Sequence, residues 1–230
     1  MTQPMTQPVP PPVTPVMSPA TRHVSFDLDG TLVNSFDVMR HAWEGATARL
    51  GIRCGFERYR RHVGLPFGRI LHNIGLSDYE AELTGLYFAA TRANQHRIAV
   101  VEGAAATLAA ARARGFGTSV ITSKPRRNAE PLLEQLQLDV DMLICADDVD
   151  RGKPDPMSAT LLCTRLGLSP AEVLYVGDMV FDLQFALNSG LQFVFFTNDG
   201  HNALPANLRN PVRRIRTLSE IFSDPRPLPG

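Results

Sequence analysis

Apolar residues fall along this chain in two different rhythms. From residue 103 onward, short apolar runs at 117–122, 142–145, 173–176 and 192–196 recur between segments with helical spacing. These runs show little in-and-out alternation, which predicts strands buried on both faces, as in a parallel sheet covered by helices. The intervening segments, 104–114, 125–136, 156–166 and 179–188, read as helices, and Gly115, Gly167 and Gly190 stand where helices end. His23–Phe26 is a fifth apolar run near the front. Between that run and residue 100 no strand pattern is found. Phe36, Met39, Trp43, Ala46 and Leu50 are spaced by three and four, one face of a helix starting at Asn34-Ser35. Stretches 57–71 and 79–95 read the same way, with breaks at Gly64-Leu65-Pro66 and near Gly75. The expected fold is α/β: a doubly wound, mainly parallel, five-stranded Rossmann-like sheet from residues 21–34 and 101–224, with an all-helical cap inserted at 35–100. One last helix is expected over 213–222.

Composition adds boundaries and exclusions. Residues 1–20 hold Pro4, Pro8, Pro10, Pro11, Pro12, Pro15 and Pro19 and almost no large apolar side chain, so a disordered tail with polyproline character is expected. Residues 225–230 should form a loose end. Lys plus Arg and Asp plus Glu are both 23, which gives no net pull towards nucleic acid or an anionic membrane. No apolar run is long enough to span a bilayer, and the start lacks the basic and apolar regions of a secretory signal. A cytoplasmic protein, binding neither nucleic acid nor membrane, is the expectation; its oligomeric state, monomer or homodimer, stays open. Cys54, Cys145 and Cys163 form no CxxC and read as free thiols, the last two in the core. Arg58, Arg60, Arg61 and His62 read as a solvated helix face. His41, His72 and His96 lack metal-ligand spacing.

The polar chemistry clusters at strand ends. Asp27 and Asp29 follow the first strand, with Gly30 allowing a sharp turn. Thr122, Ser123 and Lys124 follow the second, Arg151-Gly152-Lys153-Pro154-Asp155 lies after the third, and Gly177-Asp178 follows the fourth, with Asp182 four residues on. In an open parallel sheet, ligands bind at the carboxyl ends of the strands, so these residues should converge on one crevice. Carboxylates gathered in one place call for a hard cation such as Mg²⁺, which would let an anionic phosphate approach. A hydroxyl with its neighbouring backbone amides and one Lys would hold the phosphate oxygens.

With these motifs in order, the sequence resembles the haloacid dehalogenase-like hydrolase superfamily, in particular its phosphoglycolate phosphatase and pyrophosphatase-like branch with a helical cap. Asp27-Leu28-Asp29-Gly30-Thr31 is similar to the first family motif, Ile121-Thr122-Ser123-Lys124-Pro125 to the second, Arg151–Pro156 to the third, and Val176-Gly177-Asp178-Met179-Val180-Phe181-Asp182 to the fourth. The resemblance covers residues 22–222. It implies a Mg²⁺-dependent phosphatase of small phosphorylated metabolites that works through an aspartyl-phosphate. By the same resemblance Asp27 is the nucleophile and a metal ligand. Asp29 is the general acid and base and reaches the metal through its backbone carbonyl. Thr122 and Ser123 bind the transferring phosphoryl group, Lys153 neutralises it and orients Asp27, and Asp178 and Asp182 serve the metal. A phosphosugar mutase and a pyrophosphatase are the alternative activities, and a non-catalytic binding protein on the same fold is the alternative outside enzymes. Asn34, Met179 and Thr197-Asn198-Asp199-Gly200 depart from the family pattern. Met179 removes a possible hydrogen bond near the metal, and Asp199 is read as part of a plain turn. In the cap, Arg69 is the candidate contact for an anionic or polar substrate group.

Overall fold

The computed structural model describes residues 16–200, 202–204 and 212–222. The chain opens with β1 (His23–Phe26) and a two-residue strand, β2 (Val33–Asn34). Helices α1 (Phe36–Arg49), α2 (Phe56–Arg60), α3 (Phe67–Asn73) and α4 (Glu80–Ala93) follow. β3 (Ala99–Val100) then pairs antiparallel with β2 and closes the insertion at its stem. Helix and strand alternate from there: α5 (Ala104–Ala113), β4 (Gly117–Ile121), α6 (Arg126–Gln135), β5 (Met142–Ile144), α7 (Met157–Leu166), β6 (Val173–Gly177), α8 (Val180–Ser189), β7 (Gln192–Phe196) and β8 (Arg214–Ile215).

The main sheet has six parallel strands in the order β5-β4-β1-β6-β7-β8. Its two faces are covered by separate apolar clusters, since alternate residues of each strand point to opposite sides. Val24, Phe26, Leu174 and Val176 face one cluster with Leu108, Ala129 and Leu132, while Val173 and Tyr175 face the other with Leu162 and Phe185. A third cluster belongs to the helical insertion, where Trp43 stacks on Tyr59 at 4.5 Å and Phe67 on Tyr87 at 4.8 Å between ring centroids. Trp43 is fully buried and its indole N–H donates to Cys54 O at 2.8 Å. Among the described residues, no helix is long and apolar enough to cross a membrane.

The expected α/β fold with a helical cap is present, and four details differ, the first being the paired two-residue strands Val33–Asn34 and Ala99–Val100, where no strand was expected. The sheet has a sixth strand, because Arg214–Ile215 pairs with Phe195–Phe196. Two residues carry no readable period. Leu218 and Ile221, buried at a spacing of three, sit in a 3₁₀ turn rather than in the helix expected over 213–222. At the front, residues 1–15 lie outside the described residues, whereas the expected tail at 16–20 is held: Val16 and Met17 pack on the core and Ser18 N donates to Gln192 Oε1 at 3.0 Å. The loose end expected at 225–230 also lies outside the described residues.

One core position makes stability depend on pH. His23 is buried, with Nε2 2.8 Å from Ser119 Oγ and the ring packed over Gly117, where a Cβ would stand 2.5 Å from Nδ1. Burial lowers its pKa to about 4, and Asp141 opposes only part of that. As pH falls, the unfolded histidine protonates first, so the folded state loses stability between about pH 6.5 and pH 4. His23→Gln keeps a hydrogen-bonding partner for Ser119 and removes the titration. Denaturant melts at pH 7 and pH 4 should show the wild type losing about 3 kcal/mol relative to this variant. A pH-independent difference would place the titration elsewhere.

Candidate active site

β1 and β6 are neighbours in register, Phe26 opposite Val176, so whatever follows them meets. Asp27 N continues the ladder by donating to Val176 O at 2.9 Å. The chain then turns tightly, with Leu32 N and Val33 N both on Leu28 O and Gly30 N on Val33 O at 2.8 Å. Gly30 has φ +93°, and a Cβ there would stand 2.3 Å from Asp178 Oδ2. Both the backbone and the neighbouring carboxylate therefore demand glycine. Thr31 Oγ1 donates to Asp178 Oδ1 at 2.8 Å and fixes that carboxylate from the same turn.

Lys153 comes in from the loop before α7 and is fully buried. Its ammonium donates to Asp27 Oδ1 at 2.5 Å, to Asp182 Oδ1 at 2.8 Å and to Tyr175 Oη at 2.9 Å, which uses all three of its protons. Asp182 Oδ2 accepts from Met179 N at 3.0 Å. The bond at residue 179 is thus made by the backbone, and the methionine side chain instead packs against the cap cluster.

Asp27, Asp178 and Asp182 are all buried, and each offers a carboxylate oxygen within 4.8 Å of the others'. Burial pushes the Asp27 carboxyl up to about 7, Lys153 pulls it down and Asp182 pushes it up again. Burial likewise holds Asp178 well above the usual carboxylate range, with Asp182 and Asp27 adding to it. For Lys153 burial acts downward, but Asp182 and Asp27 outweigh it and keep the ammonium charged. Three carboxylates and one ammonium leave two negative charges when all are ionised, the balance a divalent cation would close. Among the described residues the buried Asp178 Oδ2 has no hydrogen-bond partner. The donor set, the charge and that unmet oxygen all fit a hard divalent ion.

Asp29 stands apart from this trio. Its Oδ1 accepts from Ser35 Oγ at 2.6 Å and its Oδ2 lies 3.1 Å from Lys124 Nζ. Ser35 occupies the N-cap position of α1, yet its hydroxyl goes to Asp29 and makes no capping bond. Thr122 Oγ1 accepts from Lys124 N at 3.1 Å, and Ser123 Oγ donates across to Gly64 O of the insertion at 2.6 Å. Asn128 Nδ2 makes a second link, to Phe88 O at 3.2 Å. The helical insertion is thereby closed over Asp27, Asp29, Thr122, Ser123 and Lys124, leaving a cavity of about 40 Å³.

All the expected core residues thus meet at the strand ends. Arg69 does not line the cavity: it is exposed, while Phe67 and Ile70 of the same helix turn inward and line it. Asp199 lies in a turn at φ +53°, paired with Arg216 at 3.4 Å. Lys124 and Tyr175 were given no role from the sequence. Lys124 carries no signal beyond its place in the second motif. Tyr175 reads as one more core residue of an apolar strand, and the hint was that a buried phenol needs a partner.

The family described as haloacid dehalogenase-like hydrolase matches residues 24–196. The phosphoglycolate phosphatase of Pseudomonas putida is 31% identical over 220 residues, covering 89% of this chain and 80% of that relative. The N-acetylmuramic acid 6-phosphate phosphatase of Pseudomonas aeruginosa is 31% identical over 175 residues, covering 73% and 77%. A hydrolase from Pseudomonas syringae has a similar crystal structure, with a TM-score of 0.71 and 27% identity over 77% of this chain and 85% of that one.

Proposed function

This chain belongs to the haloacid dehalogenase-like hydrolases and is a phosphatase; from that premise we propose that it hydrolyses small phosphate monoesters with Mg²⁺ bound, through a phosphoryl group carried on Asp27. The observation that carries this reading is the division of labour between two carboxylates one residue apart. Asp27 is bonded to Lys153 within the acidic trio, and Asp29, which lines the same cavity, is held instead by Ser35 and Lys124.

Asp27, Asp178 and Asp182, with the backbone carbonyl of Asp29, are the residues that would hold the ion. Bound there, Mg²⁺ supplies positive charge that cancels repulsion between a carboxylate and a phosphate dianion. Asp27 Oδ attacks phosphorus, and the bond to the leaving oxygen breaks as the new P–O bond forms. Lys153 keeps Asp27 aimed and shields its charge, so little of the positioning has to be arranged during the reaction. The Thr122 hydroxyl and the amide of Ser123 hold the phosphoryl oxygens. Asp29 gives its proton to the departing alkoxide. It then takes a proton from the water that attacks phosphorus of the Asp27 acyl phosphate; the P–O bond to Asp27 breaks, which regenerates the Asp27 carboxylate and releases inorganic phosphate. The helices at 35–100 serve as a cap that excludes bulk water during these steps.

Phosphate release from para-nitrophenyl phosphate tests this directly. Turnover should appear with Mg²⁺, disappear with a chelator and return when Mg²⁺ is restored. Full turnover by a metal-free preparation would overturn the role of the acidic trio.

A further inference from the structure

The cavity above the carboxylates has a floor and a roof of opposite chemistry. The floor is polar: Asp27, Asp29, Thr122, Ser123 and Lys124. The roof comes from the cap, and every cap side chain lining it is apolar or phenolic, with Leu65, Phe67 and Phe88 beside Tyr59 and Tyr87. No Arg, Lys or His of the described cap residues lines it. The floor's single ammonium that lines the cavity, Lys124, already pairs with Asp29 Oδ2 at 3.1 Å. Tyr59 Oη donates to Tyr87 Oη at 2.8 Å, and among the described residues the second proton of this phenol pair has no acceptor. Burial pushes both phenols above their ordinary range, so they act as neutral donors.

In the phosphatase reading the phosphoryl group sits on the floor, and its leaving group then faces this roof. Building on the phosphatase reading, we propose that the alcohol part of the substrate is uncharged and mainly apolar, with a hydrogen-bond acceptor that the Tyr59–Tyr87 pair meets. Esters carrying a carboxylate, phosphoglycolate among them, are then poor substrates. A carboxylate under the roof would lose its water and find no free cation, a cost that apolar and aromatic contacts do not return. Drawing Lys124 towards it would take that ammonium from Asp29, the group that must protonate the leaving oxygen. Carbon atoms in the same place gain from contact with Leu65, Phe67 and Phe88. A lone acceptor gains because it completes the phenol pair, whereas a polyol would leave most of its hydroxyls unmet.

The test uses the full chain with Mg²⁺ and compares kcat/KM for phosphoglycolate, its uncharged carboxamide and propyl phosphate, with para-nitrophenyl phosphate as a check on phosphatase activity. The carboxamide and propyl phosphate should each exceed phosphoglycolate by about tenfold or more. Tyr87→Phe should lower the carboxamide-to-propyl ratio by roughly three- to tenfold, since only the carboxamide offers an acceptor. Circular dichroism establishes that the variant is folded, and the wild-type comparison stands without it. If phosphoglycolate equals or beats its carboxamide while para-nitrophenyl phosphate is hydrolysed, the proposal is overturned and the phosphatase reading survives. An unchanged ratio in folded Tyr87→Phe overturns the role of the phenol pair. If none of the four compounds releases phosphate, the phosphatase reading fails and the proposal falls with it.

Discussion

Asp27→Asn should abolish turnover while leaving the protein folded. The amide has the shape of the carboxylate but no charge to direct at phosphorus, and losing a nucleophile costs roughly 10⁴-fold or more in rate. Folding should survive, because Lys153 keeps Asp182 and Tyr175 as partners at 2.8 and 2.9 Å. The substitution also removes a buried carboxylate whose desolvation opposes its ionised form. The melting temperature should therefore hold or rise. This pairing of outcomes separates a chemical role from a structural one. A folded Asp27→Asn that retains more than about a hundredth of wild-type turnover would mean that another group attacks phosphorus. An unfolded variant would mean that the Lys153 contact at 2.5 Å is needed for the fold itself.

What could be read from the sequence followed from the short range of the signals involved. Buried parallel strands announce themselves as apolar runs, and five of the six were visible for that reason. The sixth, Arg214–Ile215, is too short to show a period, and its evidence lies in the partner Phe195–Phe196. The carboxylates were visible because each stands directly after a strand, where a parallel sheet exposes its ends. Their partners were not, because pairing across the sheet depends on which loops fold together. Ser35 looks from its neighbours like a helix cap, and only the turn at Gly30 brings Asp29 within 2.6 Å of it. Lys124 lies within the second motif, and its contact with Asp29 depends on β4 lying beside β1. Arg69 shows the limit most plainly. A charged residue after a helix break suggested a substrate contact. The apolar spacing of Phe67, Ile70 and Leu71 fixes which face of α3 is buried, and Arg69 falls on the other one.

Asp29→Asn should fail in a different manner from Asp27→Asn, and the difference assigns the two roles. The nucleophile remains, held by Lys153, and the unchanged backbone of residue 29 keeps the turn and its carbonyl. Asparagine still accepts from Ser35 through its amide oxygen, so the local geometry persists. The carboxyl's proton is lost, together with the base that activates water. General acid–base assistance is worth roughly 10²–10⁴-fold, so overall turnover should fall by about that factor. The two half-reactions should not suffer alike. An aryl phosphate departs as a stable phenolate and needs little proton donation, whereas an alkyl phosphate departs as a strong base and needs it fully. Phosphorylation of Asp27 should therefore survive better with para-nitrophenyl phosphate than with propyl phosphate. The following hydrolysis lacks its base with either substrate, so the phosphoenzyme should accumulate from the aryl ester. Rapid quenching with labelled substrate, then mass analysis of the peptide containing Asp27, would detect it as a burst of bound phosphate. In Asp27→Asn the same experiment should give no burst. Equal bursts in the two variants, or label on a residue other than Asp27, would reverse or void the assignment of nucleophile and acid. Equal losses on aryl and alkyl esters would leave Asp29 as a residue that positions Lys124 and nothing more.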